Sequence, residues 1–251
     1  MFVRFDKKLS NGLLLGTNYT WSANFSDNDE SLGVTDITNS SPQIPQNFFN
    51  YRNEWSRSVF DRPHRFVIHY SYEVPWHYQN FSKHILGGWQ FSGFTEFQSG
   101  QPFTIRTGVD SAGIGSAAPA RPNFNASGVL TKDPAEKNLR TFSTPINGTG
   151  IVGAPLTSGG IPLANSMPGG GNLGRNTFRG PGFNQWNFTL MKTISISERI
   201  KLQLRNDLIN LWNQNNFQNP VATMASPAFG TNSAALLTDA RTMLVSAKIK
   251  F

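Results

Sequence analysis

Apolar and polar residues alternate with a period of two along much of this chain, most plainly over Arg241 to Phe251. There Met243, Val245, Ala247, Ile249 and Phe251 share one side and Thr242, Ser246, Lys248 and Lys250 the other, with Leu244 the exception. Period two predicts a strand with one apolar and one wet face. Phe2 to Lys7 predicts a short strand closed by Asn11-Gly12, a tight-hairpin pair. Leu13 to Phe25 follows, with Leu13, Leu15, Thr17, Tyr19, Trp21, Ala23 and Phe25 on one face. In Arg65 to Pro75 the apolar face is Phe66, Ile68, Tyr70, Tyr72 and Val74, and in Gly88 to Ser99 it is Trp89, Phe91, Gly93, Thr95 and Phe97. Asn184 to Ile196 sets Trp186, Phe188, Leu190, Ile194 and Ile196 against Gln185, Asn187, Thr189, Thr193 and Ser195. Ile200 to Trp212 fits a strand through Ile200, Leu202, Leu204 and Leu208 and a helix through Ile200, Leu204, Leu208 and Leu211, and is taken as strand.

These stretches make about seven strands, and their connections alternate in length. Asn11-Gly12 and Ser197-Glu198-Arg199 are short and 76–87 is moderate, whereas 27–63, 101–183 and 213–240 are long and rich in Gly, Pro, Ser, Thr and Asn. A membrane barrel has this rhythm, short turns on the periplasmic side and long loops outside. The strands are also long enough to cross at a tilt, which takes roughly 9 to 11 residues, against a mode near 5 or 6 in globular sheets. Tyr19, Trp21, Phe25, Trp76, Trp89, Trp186 and Trp212 sit near strand ends, where interfacial girdles form. The expected fold is therefore all-β: an antiparallel transmembrane β-barrel, partial, with long extracellular loops.

Composition agrees with a chain that faces lipid over part of its outside. Charged residues reach 15%, against roughly 25% in an average soluble domain. No run of about 20 apolar residues exists, so a helical span is excluded, and mean hydropathy is -0.35. The net charge of +7 is scattered rather than clustered, which speaks against nucleic acid and leaves anionic lipid or polysaccharide as counter-charges. Cysteine is absent, so disulfides and thiolate metal sites are excluded. MFVRFDKKLS lacks the apolar core of a signal peptide, so the expectation is either a cytoplasmic chain or the tail of something longer.

Candidate chemistry is sparse. Gly169 to Gly174 reads GGGNLG, but it follows a Pro-containing loop and precedes Arg-Asn-Thr, so a turn is expected rather than a dinucleotide site. His64, His69, His77 and His84 lack carboxylates at ligand spacing, and no metal or cofactor is expected. Asp61, His64 and Ser71 have triad residue types without a nucleophile elbow. Polar contacts of Asp61, Arg62, His64 and Arg65 where a loop enters a strand are expected instead, and no catalytic residue. Arg205, Asp207, Lys248, Lys250 and Glu96 should face a wet lumen.

FDRPHRF at Phe60 to Phe66, LGGWQFSGFTEFQSGQPFTI at Leu86 to Ile105, GNLGRNTFRGPGFNQWNFTLMKTI at Gly171 to Ile194 and NLWNQNNF at Asn210 to Phe217 resemble the carboxy-terminal barrel of TonB-dependent transporters, closest to the Oar-like branch. The resemblance runs from about Leu13 onward. It implies a bacterial outer-membrane location, contact with membrane lipid, and a 22-stranded barrel with a plug that relays energy from TonB. Residues 1–251 are then a carboxy-terminal barrel segment with no plug, reaching TonB only through that missing part, with substrate unknown. The terminal Phe251 resembles the family's signal to the barrel-assembly machinery. The competing expectation is a secreted or surface β-sandwich that binds carbohydrate through exposed aromatics. Whether the apolar strand faces meet lipid or a second sheet separates the two.

Overall fold

The computed structural model describes residues 1–28, 45–75, 87–108, 110, 120–124, 151–152, 171–223, 225–226 and 240–251. Seven strands form one sheet: β1 (Phe2–Ser10), β2 (Leu13–Trp21), β3 (His64–Glu73), β4 (Trp89–Gln98), β5 (Phe183–Ser195), β6 (Lys201–Ile209) and β7 (Thr242–Lys250). Each pairs antiparallel with its neighbour in chain order, and β1 and β7 are the edges of an unclosed sheet. Lengths run from 9 to 13 residues, within or above the range that crosses a membrane at a tilt.

Register decides what each face is made of, because paired residues project to the same side. From Ile249 the pairing passes to Leu202 and Ile194; from Met243 it passes to Leu208, Phe188, Gly93, Tyr70, Leu15 and Lys7. The apolar sides predicted strand by strand therefore fall on one face of the sheet. Its partner face carries Arg4, Asp6, His69, Arg65, Glu96, Thr189, Asp207, Arg205, Lys201, Lys248 and Lys250. Gly93 is accommodated on the apolar face by the Tyr70 ring, which fills the space a Cβ would take.

That apolar face is uncovered. Val3, Phe5, Leu204, Met243, Val245 and Ile249 are all exposed, and among the described residues the buried apolar cluster of Phe103, Ile105, Leu173 and Ala222 comes from connecting segments. A sandwich puts its core between two sheets. Among the described residues no facing sheet of comparable size is present, so nothing there supplies the second layer of a sandwich, and lipid is the medium that suits this face. Several polar residues lie within the apolar face, Lys7 and Thr95 among them, and two stand out. Lys192, near the short-turn end, is buried, and its ammonium is compensated by the Gly87 carbonyl and by the Trp89 ring face 4.7 Å away rather than by water. Asn206, opposite Val245, has a side-chain oxygen with no hydrogen-bond partner.

Several predicted boundaries shift. β2 stops at Trp21 rather than Phe25, because Ser22 N–H donates to the Pro63 carbonyl and Asn24 N–H to Asp61, which draws the chain off the ladder. Phe25 instead pairs with Arg57 in a two-residue ladder. Ile200 to Trp212 is a strand only to Ile209, after which Asn210 and Asn213 take left-handed backbone, the region Asn tolerates best after Gly. The stretch 101–183, read as lacking periodicity, holds tertiary order in its described parts: Pro102–Phe103 pairs with Phe178–Arg179. Trp76, His77, His84 and most of the predicted 76–87 connection lie outside the described residues.

Candidate functional site

All three long connections leave from the same end of the sheet, and their described parts pack against one another there. A ring of aromatic side chains marks where sheet gives way to loops. Tyr19 stacks on His64 with a 2.7 Å hydrogen bond between its hydroxyl and Nδ1. Phe66 stacks on Phe97, Phe97 meets Trp186 edge-on at 5.7 Å, and Trp186 meets Trp212 at 6.4 Å. Trp89 lies toward the other end, so among the described residues the predicted girdle is represented at the loop end and by Trp89 alone at the other. Phe25 belongs to neither, being out on the loop with Trp55.

Above the ring, buried charges join segments distant in sequence. Arg121 forks onto Glu54, Nη1 to Oε2 at 2.7 Å and Nη2 to Oε1 at 2.9 Å, with both side chains nearly inaccessible. Gln46 braces the pair: its N–H donates to Glu54, its side-chain oxygen accepts from Arg121 N–H, and its amide donates to the Gly171 carbonyl. Gly171 and Gly174 thus serve a turn inside this cap, where a Cβ on Gly171 would overlap Arg121 and Pro122 backbone. Residue 176 follows as an Asn with positive φ, and no helix starts there.

Asp61 is the second hub. Its carboxylate receives Asn24 N–H, Arg57 at 3.1 Å and Arg179. Burial alone pushes this carboxyl up, but the bonds from Arg179, Asn24 and Arg57 outweigh it and hold the group below its ordinary value of 3.8. With a lowered folded value, the stabilisation is present above the ordinary value and lost as pH falls through the folded one. Docking of residues 22–26 and 56–63 is therefore expected to stay whole through the mildly acid range and give way only below about pH 4. Amide exchange at Asn24 and Ser58 followed against pH checks this; release in the range where histidines titrate would contradict it.

The remaining sequence candidates are dispersed. His64 is engaged with Tyr19 and Ser71 accepts from Gln90, so Asp61, His64 and Ser71 form no triad. Arg62 donates to the Val59 and Asp61 carbonyls within the loop and Arg65 to Glu96 at 2.6 Å across β3 and β4, polar contacts on either side of the entry to β3. His69 lies on the wet face against Gly16. Among the described residues no group of three metal-ligating side chains assembles. On the wet face Arg4, Arg65 and Arg205 are each paired with a carboxylate, from Asp6, Glu96 and Asp207. Sequence reasoning missed the Glu54–Arg121–Gln46 bracing, whose members lie 67 and 75 positions apart in no motif.

A family model described as an outer membrane beta barrel domain matches residues 1–243. No curated protein and no solved structure matches. The match joins a sheet whose lipid-demanding face is uncovered to a location in the bacterial outer membrane, with its short turns periplasmic and its packed loops outside. The chain belongs to the outer membrane beta barrel domain family.

Proposed function

We propose that this chain is the carboxy-terminal part of the barrel of a TonB-dependent transporter of the Oar-like branch, taking up a nutrient on energy relayed from the inner membrane and catalysing no reaction. The observation that carries the reading is the sheet itself, apolar on one face and, among the described residues, without a further strand at either β1 or β7. Hydrocarbon does not tolerate open strand edges, so in this reading further strands close the wall into a larger barrel. The four motifs that resemble this family, and a loop cap large enough to select a ligand, favour a transporter over a simple pore. Membrane lipid is then one partner, the assembly machinery acting through Phe251 a second, and TonB a third, reached through a plug outside these residues.

The test uses the full-length parent. Its purified form is expected to bind the periplasmic domain of TonB, and to lose that binding when the segment preceding its plug is deleted. A parent with no plug and no TonB contact would overturn the reading. Phe251→Ser, in a parent ending at that residue, is expected to lower the amount inserted in the outer membrane.

A further inference from the structure

Trp55 stands on the loop joining β2 to β3 with 63% of its surface open to water. An exposed indole is ordinarily free to turn on its side-chain torsions, but this one is backed. Phe25 stacks on it, ring centroids 6.3 Å apart and planes 11° from parallel. Arg57 carries its guanidinium over the Phe25 ring at 4.9 Å, and is itself held by the buried Asp61. Because Phe25 and Arg57 are direct cross-strand partners, backbone hydrogen bonding sets that stack. The result is a flat aromatic surface backed by a chain of contacts that ends at the buried Asp61 carboxylate.

Trp55 lines a cleft of about 730 Å³ together with Tyr51, Asp27, Arg52 and Asn53. Among the described residues no hydrogen bond or ion pair engages the side chains of Asp27, Arg52 or Asn53, whose polar groups line the cleft. An apolar ligand here would strip water from three polar side chains without replacing its hydrogen bonds, which is costly. A strongly anionic ligand gains nothing either, since the charges of Asp27 and Arg52 cancel. What fits a rigid indole ringed by a carboxylate, a guanidinium and an amide is a neutral ring with an apolar face and a rim of hydroxyls.

We infer that this cleft binds a neutral sugar, a pyranose stacking its C–H face on Trp55 while Asp27, Arg52 and Asn53 exchange hydrogen bonds with its hydroxyls. The carboxylate accepts two of them, and the guanidinium and amide supply the donors. Binding lies on the outer loops and needs only that they are folded. It goes beyond the proposed transport and does not depend on TonB.

The experiment takes the full-length parent in a non-glycosidic detergent and titrates it calorimetrically with maltohexaose, cellohexaose and laminarihexaose, with citrate as an anionic probe. At least one hexasaccharide is expected to bind. Trp55→Ala should weaken it about tenfold or more, the loss of an aromatic stacking contact and its buried area. Trp55→Phe should keep most of the affinity, and isosteric Asp27→Asn should lose several-fold, with heat-modifiable migration confirming that each variant is folded. Binding of no hexasaccharide, binding of citrate instead, or either Trp55→Ala or Asp27→Asn binding like the parent would each overturn the assignment. A parent that fails to engage TonB yet shows this pattern leaves the sugar site standing, so the two failures are distinguishable.

Discussion

Glu54→Ala is expected to undock the loop cap at a cost on the order of 3 to 5 kcal/mol, the usual consequence of removing one partner of a buried ion pair. The Arg121 guanidinium is 5% exposed and spends both terminal nitrogens on Glu54, while its Nε already lacks a partner. Without the carboxylate the whole cation is left without a counter-charge in a desolvated place, and Gln46 loses the acceptor of its N–H. Removing both charges together, as in Glu54→Ala with Arg121→Met, should cost clearly less, because no buried ion remains. Amide exchange over residues 45–55 and 120–122 in the full-length parent measures both variants, and the seven strands should keep their protection. If the double variant proves as damaging as the single one, the ion pair is not what holds these loops together.

Val245→Arg is expected to destabilise the inserted barrel by about 2 to 4 kcal/mol, the penalty for arginine on the lipid face near the bilayer midplane. Val245 is 75% exposed on the apolar face, opposite Asn206. Ser246 projects to the other face, directly opposite Arg205. Arg205 is already bound to Asp207, so Ser246→Arg should cost at most about 1 kcal/mol of cross-strand repulsion. On the lipid face the penalty should decline toward the strand ends, at Met243 and Ile249, as water and headgroups come within reach of a long side chain. Asn206→Leu should move in the opposite direction by about 1 to 2 kcal/mol, since its unpartnered oxygen is desolvated for no return. Refolding into lipid vesicles, followed for Arg at 243, 245, 246, 247 and 249 and for Asn206→Leu, measures the series. A penalty that ignores depth would mean that the medium on this face is not a bilayer.

The wall was legible without coordinates because its information is local. A strand that faces lipid on one side and water on the other must alternate, and Val245-Ser246-Ala247-Lys248-Ile249-Lys250 or Phe66 to Val74 does so within a few residues. Seven strands, their meander order and their apolar sides all followed from that period and from short turns such as Asn11-Gly12. Lys192 and Asn206 break the pattern on the apolar side, and the structure showed what becomes of them there, one ammonium buried against a carbonyl and a ring and one amide oxygen without a partner. The cap could not be read in advance. Glu54 meets Arg121, Asp61 meets Arg179 and Thr104 meets Asn176 across 67, 118 and 72 positions. No periodicity marks such partners, because each loop's backbone is irregular and its polar groups are satisfied by other loops. The Trp55 platform is of the same kind: sequence supplied aromatics and polar residues in a loop, and tertiary packing of Phe25, Arg57 and Asp61 behind the indole made a surface of them. Sequence by itself therefore determined the barrel wall, where one solvent acts on each face along the whole strand. The tertiary structure decided the outer site, where each side chain answers to neighbours that the chain brings together only by folding.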